Sequence, residues 1–497
     1  MSVTPGVRVR IAPSPSGYFH VGTARTAIYN YLFARKHDGK FILRIEDTDA
    51  DRSEAQYVDV ILDGLRWLGI EWDEGPIHQA DRLDLYKPYV QELLDCGRAY
   101  RCYCTREELE AERTAAIQAR SDYKYSQRCR DAGADHISRW EAEGRPFAVR
   151  LAVPREGETG FHDLIAGTIC RKNADIEDFV IARSDGRALY NFAVVVDDHL
   201  MRISHVIRGN DHITNTYKQA LLYQALAWEP PVFAHVPLIL RADKSKVSKR
   251  KGDPSVTDYR DRGILPQALF NFLSLLGWSA GDDREIYTRQ ELIKAFDLGR
   301  VTSANPVFDA DKLEWMNGEY IRSLSAHELA TEVRPLLLAR NLITPLALET
   351  RWAWYLEVIG LLRERCRLLT DFPEQSAYFF RPPTAFDQEG IEKHFVPAGA
   401  ADRLRGLADR WDQCRGFAAA DLEAALKEVS AAAGAKPAAY IHPTRLALSG
   451  VTRGPGLYEL AALLGKREAI ERLRAVADMI EKGNVPVRGP VTEVKPS

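Results

Sequence analysis

An α/β architecture with a parallel sheet in the first half, followed by an all-helical remainder, is predicted by three observations. Strand-like and helix-like segments alternate from residue 7 onward. A turn punctuated by Pro13, Pro15 and Gly17 separates the first strand from the first helix. From about residue 325 nearly every segment has helical periodicity.

Residues 7–12 alternate and are β-branched, which predicts a strand. Residues 20–37 read as a helix, with Ala24, Ala27, Ile28, Tyr31 and Leu32 on one face, ended by Asp38-Gly39. Residues 40–46 form the second strand, and 53–68 the second helix with Ser53 as its N-cap. This order implies parallel strands joined by right-handed crossovers. Between about 97 and 190 the pattern loosens: a charged helix at 106–120 and strands at 147–153 and 178–182 read as an insertion. Strands at 191–196, 203–208 and 235–240 and a helix at 215–226 then resume the α/β pattern. The later helices are expected at 326–340, 351–369, 400–410, 421–433 and 466–482.

A length of 497 residues, 45% of them hydrophobic and 28% charged, allows several domains with a substantial core. The net charge of −3 offers a polyanion no global attraction, so any RNA must be held by local basic patches. There is no apolar run of about 18 residues and no secretory pattern, so a cytoplasmic protein without a membrane partner is expected. Seven cysteines are too few and too scattered for a disulfide framework.

Two segments carry chemistry. The first runs from Pro13 to Thr23 and opens a helix near His20, whose N-terminal N–H groups and dipole favour phosphate. His20 can donate to phosphate oxygens, and Gly22 lets a flat base approach the backbone. The second, Arg241 to Gly252, holds six cations in twelve residues and follows the last strand. It emerges at the carboxyl edge of the sheet, where open α/β folds bind ligands. Together the two can hold a nucleoside triphosphate from both ends, lysine ammoniums meeting the charge that builds on leaving pyrophosphate. Read singly, each is also compatible with an ordinary sheet-to-helix loop and a solvated basic loop.

His20-Val21-Gly22-Thr23 and Lys246-Val247-Ser248-Lys249-Arg250 resemble the HIGH and KMSKS signatures of the class I aminoacyl-tRNA synthetases. Arg10 to Gly17, Arg44-Ile45-Glu46-Asp47-Thr48-Asp49, Val206-Ile207-Arg208-Gly209, Trp315-Met316-Asn317-Gly318 and Arg453 to Leu460 extend the resemblance to bacterial glutamyl-tRNA synthetases over nearly the whole chain. That resemblance implies a Rossmann-like catalytic domain in two halves, 1–97 and 191–252. An insertion for the tRNA acceptor arm would occupy 98–190, a helical connecting domain 253–325 and an all-helical anticodon-binding region 326–497. It implies activation of L-glutamate by ATP with Mg²⁺, release of diphosphate, and transfer to tRNA(Glu) with release of AMP, by a monomer. Charging of tRNA(Gln) is left open.

A dicarboxylic amino acid needs cations for its carboxylates and a carboxylate for its ammonium. The resemblance assigns Arg10, Ser14 and Arg208 to the former, Glu46 to the latter and Tyr190 to the pocket wall. It assigns ATP to Pro13, Gly17, His20, Gly22, Thr23, Lys246, Ser248, Lys249 and Arg250, with His20 and Lys249 catalytic. Three positions depart from the pattern: Thr23 replaces the second His, Val247 the KMSKS Met, and Asn210 the Glu that usually follows Arg-Gly.

Cys102-Tyr103-Cys104 and, after 24 intervening residues, Cys129 suit a tetrahedral Zn²⁺ site, with three reduced thiols as the alternative. Where the family often has His, Asp131 stands; Tyr125 matches a variant among relatives. The fourth ligand is therefore open between Tyr125 and Asp131. Arg98, Arg101, Lys124, Arg128 and Arg130 are expected to meet the acceptor arm, and Arg363, Arg365 and Arg367 the anticodon. The rival readings are a truncated relative that loads a modified tRNA base, a glutaminyl-type synthetase, and a non-catalytic RNA-binding scaffold. The helical third argues against the first two. Intact His20, Lys249, Arg10 and Glu46 argue against the last.

Overall fold

The computed structural model describes residues 6–15, 17–48, 55–121, 123–247 and 254–488. The chain divides into two compact units, one of residues 1–261 and 266–316, the other of 262–265 and 317–497. The division thus follows Met316, short of the boundary expected at 325.

The first unit is built on parallel strands. β1 (Arg8–Ile11), β2 (Lys40–Ile45) and β3 (Glu74–His78) form one sheet in that order. α1 (Val21–Lys36) and α2 (Ala55–Trp67) are its crossovers, and α3 (Leu83–Asp95) follows. An antiparallel sheet comes next, of β4 (Ala99–Cys102), β5 (Ala148–Leu151) and β8 (Val180–Ala182), with α4 (Arg106–Gln118) and α5 (Ala134–Ala142) between its first two strands. The hairpin β6 (Glu158–Asp163) and β7 (Gly167–Lys172) joins a different sheet, with order β7-β6-β10-β9. There β9 (His205–Gly209) and β10 (Val232–Val236) are parallel, and β10 meets β6 at Phe233 and Asp163. The segment expected to be a single insertion therefore contributes a hairpin to the sheet that carries the site. β9 also runs beside β1, since Arg8 N–H donates to Ser204 Oγ (2.8 Å) and Ser204 N–H to the Arg8 carbonyl (2.9 Å).

One expected strand is a helix. Residues 191–196 lie inside α6 (Tyr190–Leu200), which buries Phe192 through Asp198. Phe-Ala-Val-Val-Val is β-prone, but a short apolar run does not distinguish a buried strand from a buried helix. Packing on all sides overrides the local preference. The helix also turns inward Asp197 and Asp198, two acids that directly follow that run. The expected strand at 235–240 begins and ends earlier, as β10, and the chain continues without regular structure. Ser53, the expected cap of α2, lies outside the described residues. α7 (Ile213–Ala225), α8 (Val256–Asp261), α9 (Pro266–Leu275) and α10 (Arg289–Ala295) complete this unit's helices up to residue 295.

α1 is almost wholly buried from Val21 to Ala34. Its Asn30 amide donates to the Thr26 carbonyl (2.8 Å) and to the Ile207 carbonyl (2.9 Å), tying the helix to the strand that carries Arg208.

The second unit is helical, with segments at Ala326–Ala339, Trp352–Leu362, Asp371–Phe380, Ala400–Asp412, Ala419–Ala432, Ala438–Ser449, Leu457–Leu464 and Lys466–Glu481 among others. The helix expected at 351–369 stops at Leu362, so Arg363 and Arg365 occupy a 3-10 turn and Arg367 the loop after it. Buried Arg472 caps the carbonyls of Tyr378 and Leu448, both at 2.7 Å. Among the described residues no helix is long and apolar enough to cross a membrane.

Asn30→Ala removes the donor that satisfies the buried Ile207 carbonyl. We expect a loss of about 1–3 kcal/mol, measured as a lowered urea midpoint for unfolding.

Candidate active site

The loops after β1, β2, β9 and β10 surround one cavity of about 630 Å³ at the carboxyl ends of the strands. Its walls include Arg10, Pro13, Ser14, His20, Gly22, Thr23, Glu46, Tyr190, Arg208 and Lys246. Gly17 is not among them; it turns the chain at φ +153°, a conformation that favours glycine. The loop is tied down where Glu46 N–H donates to the Pro13 carbonyl at 3.0 Å.

Beneath the cavity lies a buried charge cluster that sequence reasoning missed in part. Asp198 takes both arms of a bidentate bond from Arg10 (Nε 3.1 Å, Nη2 3.2 Å) and a third bond from Arg44 Nη1 (2.7 Å). Arg44 is fully buried and also faces Glu46 at 3.6 Å. Burial alone would raise the Asp198 carboxyl, but the two guanidiniums outweigh it and hold it below its ordinary range. Glu46 shows the opposite balance: burial lifts its carboxyl, and Arg44 and Arg10 only partly pull it back. A carboxylate in that state gains from an incoming ammonium. Asp197, next along α6, is likewise consumed by Gln79, Arg82 and Tyr86 at 2.7–2.9 Å. The signal in the sequence was the acid pair directly after an apolar run.

Arg208 is 6% exposed and held from behind by His235, Thr216 and Gln219. The Tyr190 hydroxyl is 3.1 Å from His212 Nδ1. Burial pushes the Tyr190 hydroxyl up to about 12, with the Glu46 charge adding to it. Burial and then the Arg208 charge bring His212 down to about 4, so its ring is neutral at pH 7.

His20 is the N-cap of α1. Its Nδ1 accepts from the N–H of Gly22 (3.1 Å) and Thr23 (3.4 Å). An accepting Nδ1 puts the proton of the neutral ring on Nε2. The cap thus fixes the tautomer able to donate to a phosphate. A Cβ on residue 22 would lie 3.0 Å from the His20 ring, so Gly22 also leaves room for the cap.

The cationic loop is described to Val247, which donates to the Ile239 carbonyl at 3.1 Å. Lys246 pairs with Asp211 at 3.0 Å across the cavity mouth. Ser248, Lys249 and Arg250 lie outside the described residues.

A second cluster lies in the insertion. The Cys102, Cys104 and Cys129 sulfurs are all within 4.8 Å of one another. The Tyr125 hydroxyl is 3.4 Å from Cys102 Sγ and 3.5 Å from Cys104 Sγ. Zn–S bonds of about 2.3 Å in a tetrahedron place sulfurs about 3.7 Å apart, so the donor set fits a zinc ion. Arg150 Nε (3.3 Å from Cys102) and Arg128 Nη2 (3.4 Å from Cys104) favour thiolates. Asp131 is exposed and paired with Arg155, so the structure brings Tyr125, not Asp131, to the thiols. The basic residues nearby are also engaged: Arg101 with Glu141, Lys124 with Asp175, Arg128 with Glu108 and Arg130 with Asp178.

Residues 6–315 match the family model described as tRNA synthetases class I (E and Q), catalytic domain, and 328–477 match an anticodon binding domain. The chain is 42% identical over 476 residues to glutamate–tRNA ligase 1 of Caldanaerobacter subterraneus, covering 96% of this chain and 98% of that one. It is 45% identical to the glutamate–tRNA ligase of Thermodesulfovibrio yellowstonii, covering 95% and 99%. The chain belongs to the glutamate–tRNA ligases. A crystal structure of a glutamate tRNA ligase from Elizabethkingia meningosepticum in complex with its amino acid superposes with a TM-score of 0.88 at 32% identity, covering 96% of this chain and all of that one. The fold is therefore the Rossmann-like parallel-sheet catalytic domain with a helical anticodon region. The family's reaction is that of an aminoacyl-tRNA ligase, forming AMP and diphosphate. A role on tRNA(Gln) is not borne out by these glutamate–tRNA ligases.

Asp198→Asn leaves two buried guanidiniums without their shared anion. A cost of about 3–5 kcal/mol is expected by chemical denaturation at pH 7. Because the folded pKa of Asp198 lies below the unfolded value of about 3.9, its contribution is full above that pH and is lost as pH falls through the folded value. The difference between wild type and variant should therefore shrink in acid.

Proposed function

We propose that the cavity activates L-glutamate with ATP and that the two carboxyl-edge walls divide the work. Glu46 receives the glutamate ammonium; Arg10, Ser14 and Arg208 receive its carboxylates; Tyr190 closes the side. His20, Gly22 and Thr23, with Pro13 and Gly17 shaping the turn, take the ATP. Lys246, Ser248, Lys249 and Arg250 approach its phosphates from the cationic loop. The observation that carries this reading is the shared cavity: a buried carboxylate raised by burial, two buried guanidiniums and the capping imidazole of His20 line one volume at a helix N-terminus.

The glutamate α-carboxylate attacks the α-phosphorus of ATP in line, and the bond to the bridging oxygen of diphosphate breaks. The His20 Nε2–H and the Lys249 ammonium meet the charge that develops on the phosphate oxygens. Mg²⁺ bound to the phosphates supplies further neutralisation. A ribose hydroxyl of the terminal adenosine of tRNA(Glu) then attacks the mixed anhydride and AMP leaves. No covalent intermediate on the protein is required; positioning and charge stabilisation suffice. A monomer in a cytoplasmic setting belongs to this reading. The insertion would hold the acceptor arm, and the helical unit the anticodon through Arg363, Arg365 and Arg367. Zn²⁺, held by Cys102, Cys104, Cys129 and Tyr125, would brace the insertion as a structural ion.

Glutamate-dependent ATP–diphosphate exchange tests the reading, run with and without tRNA(Glu). His20→Ala should lower kcat about 10²–10³-fold with little change in the KM for glutamate. Full activity of that variant would refute the catalytic role. For zinc, the purified protein should carry about one metal equivalent. Cys129→Ser or chelation should lower the melting temperature, and metal-free protein of unchanged stability would remove the ion from the account.

A further inference from the structure

Arg208 presents five N–H groups, and three are committed away from the cavity. Nε donates to His235 Nε2 at 3.2 Å, while Nη2 donates to Thr216 Oγ1 at 2.8 Å and Gln219 Oε1 at 2.7 Å. Nη1 is buried and has no hydrogen-bond partner among the described residues, and the side chain lines the cavity. Which way Nη1 points is thus decided by the groups behind it, of which His235 is the one with two chemical forms.

Asp163 selects between those forms. Its Oδ1 accepts from the N–H of Ile165 and Ala166, both at 2.9 Å, and its Oδ2 from the N–H of His235 at 3.0 Å. A carboxylate with three backbone donors stays ionised. It therefore accepts from His235 Nδ1–H, 2.6 Å away. The neutral ring then has its lone pair on Nε2, which is what the Arg208 Nε–H needs. The other tautomer would set two N–H groups against each other. Both side chains of the pair are fully buried. Burial lowers the His235 pKa, the Asp163 bond opposes this, and the positive charges of Arg208 and Arg10 push it down again, so the ring is neutral at pH 7.

We propose that Asp163 and His235 are positioning residues for Arg208, fixing the imidazole tautomer and with it the guanidinium plane that receives a carboxylate of the amino-acid substrate. The inference rests on the reading that Arg208 binds that carboxylate. The network reaches Arg208 from behind the cavity and touches no atom of ATP in that reading, so its effect belongs to glutamate alone.

The test is ATP–diphosphate exchange on the full chain, with KM for glutamate, KM for ATP and kcat measured separately. His235→Leu is expected to raise KM for glutamate about 10–100-fold while KM for ATP and kcat stay within about threefold. His235→Gln, whose amide oxygen can accept from Arg208, is expected to recover most of that loss. Asp163→Asn can donate to Nδ1 and favour the wrong tautomer, so it should raise KM for glutamate in the His235 protein. In the His235→Gln background, which has no tautomer to set, it should not. This cycle stands even if His235→Leu fails to fold.

An unchanged KM for glutamate in His235→Leu, a parallel rise for glutamate and ATP, or an equal effect of Asp163→Asn in both backgrounds would overturn the proposal. Arg208→Ala separates the two layers. If it raises KM for glutamate while the His235 variants do not, the carboxylate reading stands and only the positioning role falls. If it has no effect, the carboxylate reading itself falls.

Discussion

The site is organised around one buried anion, Asp198, shared by two guanidiniums. Each of the three charges is costly to bury alone, and together they are tolerable only in this geometry. The cluster couples three separate pieces of chain: β1 through Arg10, β2 through Arg44, and α6 through Asp198. It leaves Glu46 under-compensated at the cavity wall. An ammonium arriving there would complete a charge balance that the protein holds incomplete.

Elsewhere around the site, neutral groups control charged ones. His20 spends one ring nitrogen on capping α1, and that expenditure fixes the proton on the other. His235 spends one on Asp163, and that fixes the lone pair that meets Arg208. In both cases a structural hydrogen bond on one side of an imidazole sets the chemistry available on the other. Gly22 belongs to the first device, since a side chain there would crowd the capping ring.

The thiol cluster is separate in construction. Its residues form a small apolar cluster of their own around Cys102, Tyr103, Tyr125 and Cys129, within a segment whose basic side chains are mostly paired with nearby acids. The exposed pairs, Arg101–Glu141 and Arg128–Glu108, contribute little stability and are exchangeable for phosphate contacts, so they do not count against an RNA-binding role; Arg130 is held by the buried Asp178.

Much of this was legible from the chain alone. The parallel strands β1 and β2, helix α1, the late helices and the residues that ring the cavity follow from local periodicity, turn residues and motif strings, because each is encoded within a short window. What tertiary structure decided depends on burial and on partners far away in sequence. The run 191–196 became helical where tertiary packing buries it from Phe192 onward. Asp198, Arg44, Asp163 and His235 became part of the site through partners up to about 190 residues away, a separation at which sequence carries no spacing rule. Tyr125 rather than Asp131 lies beside the thiols, a placement that no sequence spacing announces. Local propensity dictates most of the elements; packing decides the type of a buried apolar run and which buried charge faces which.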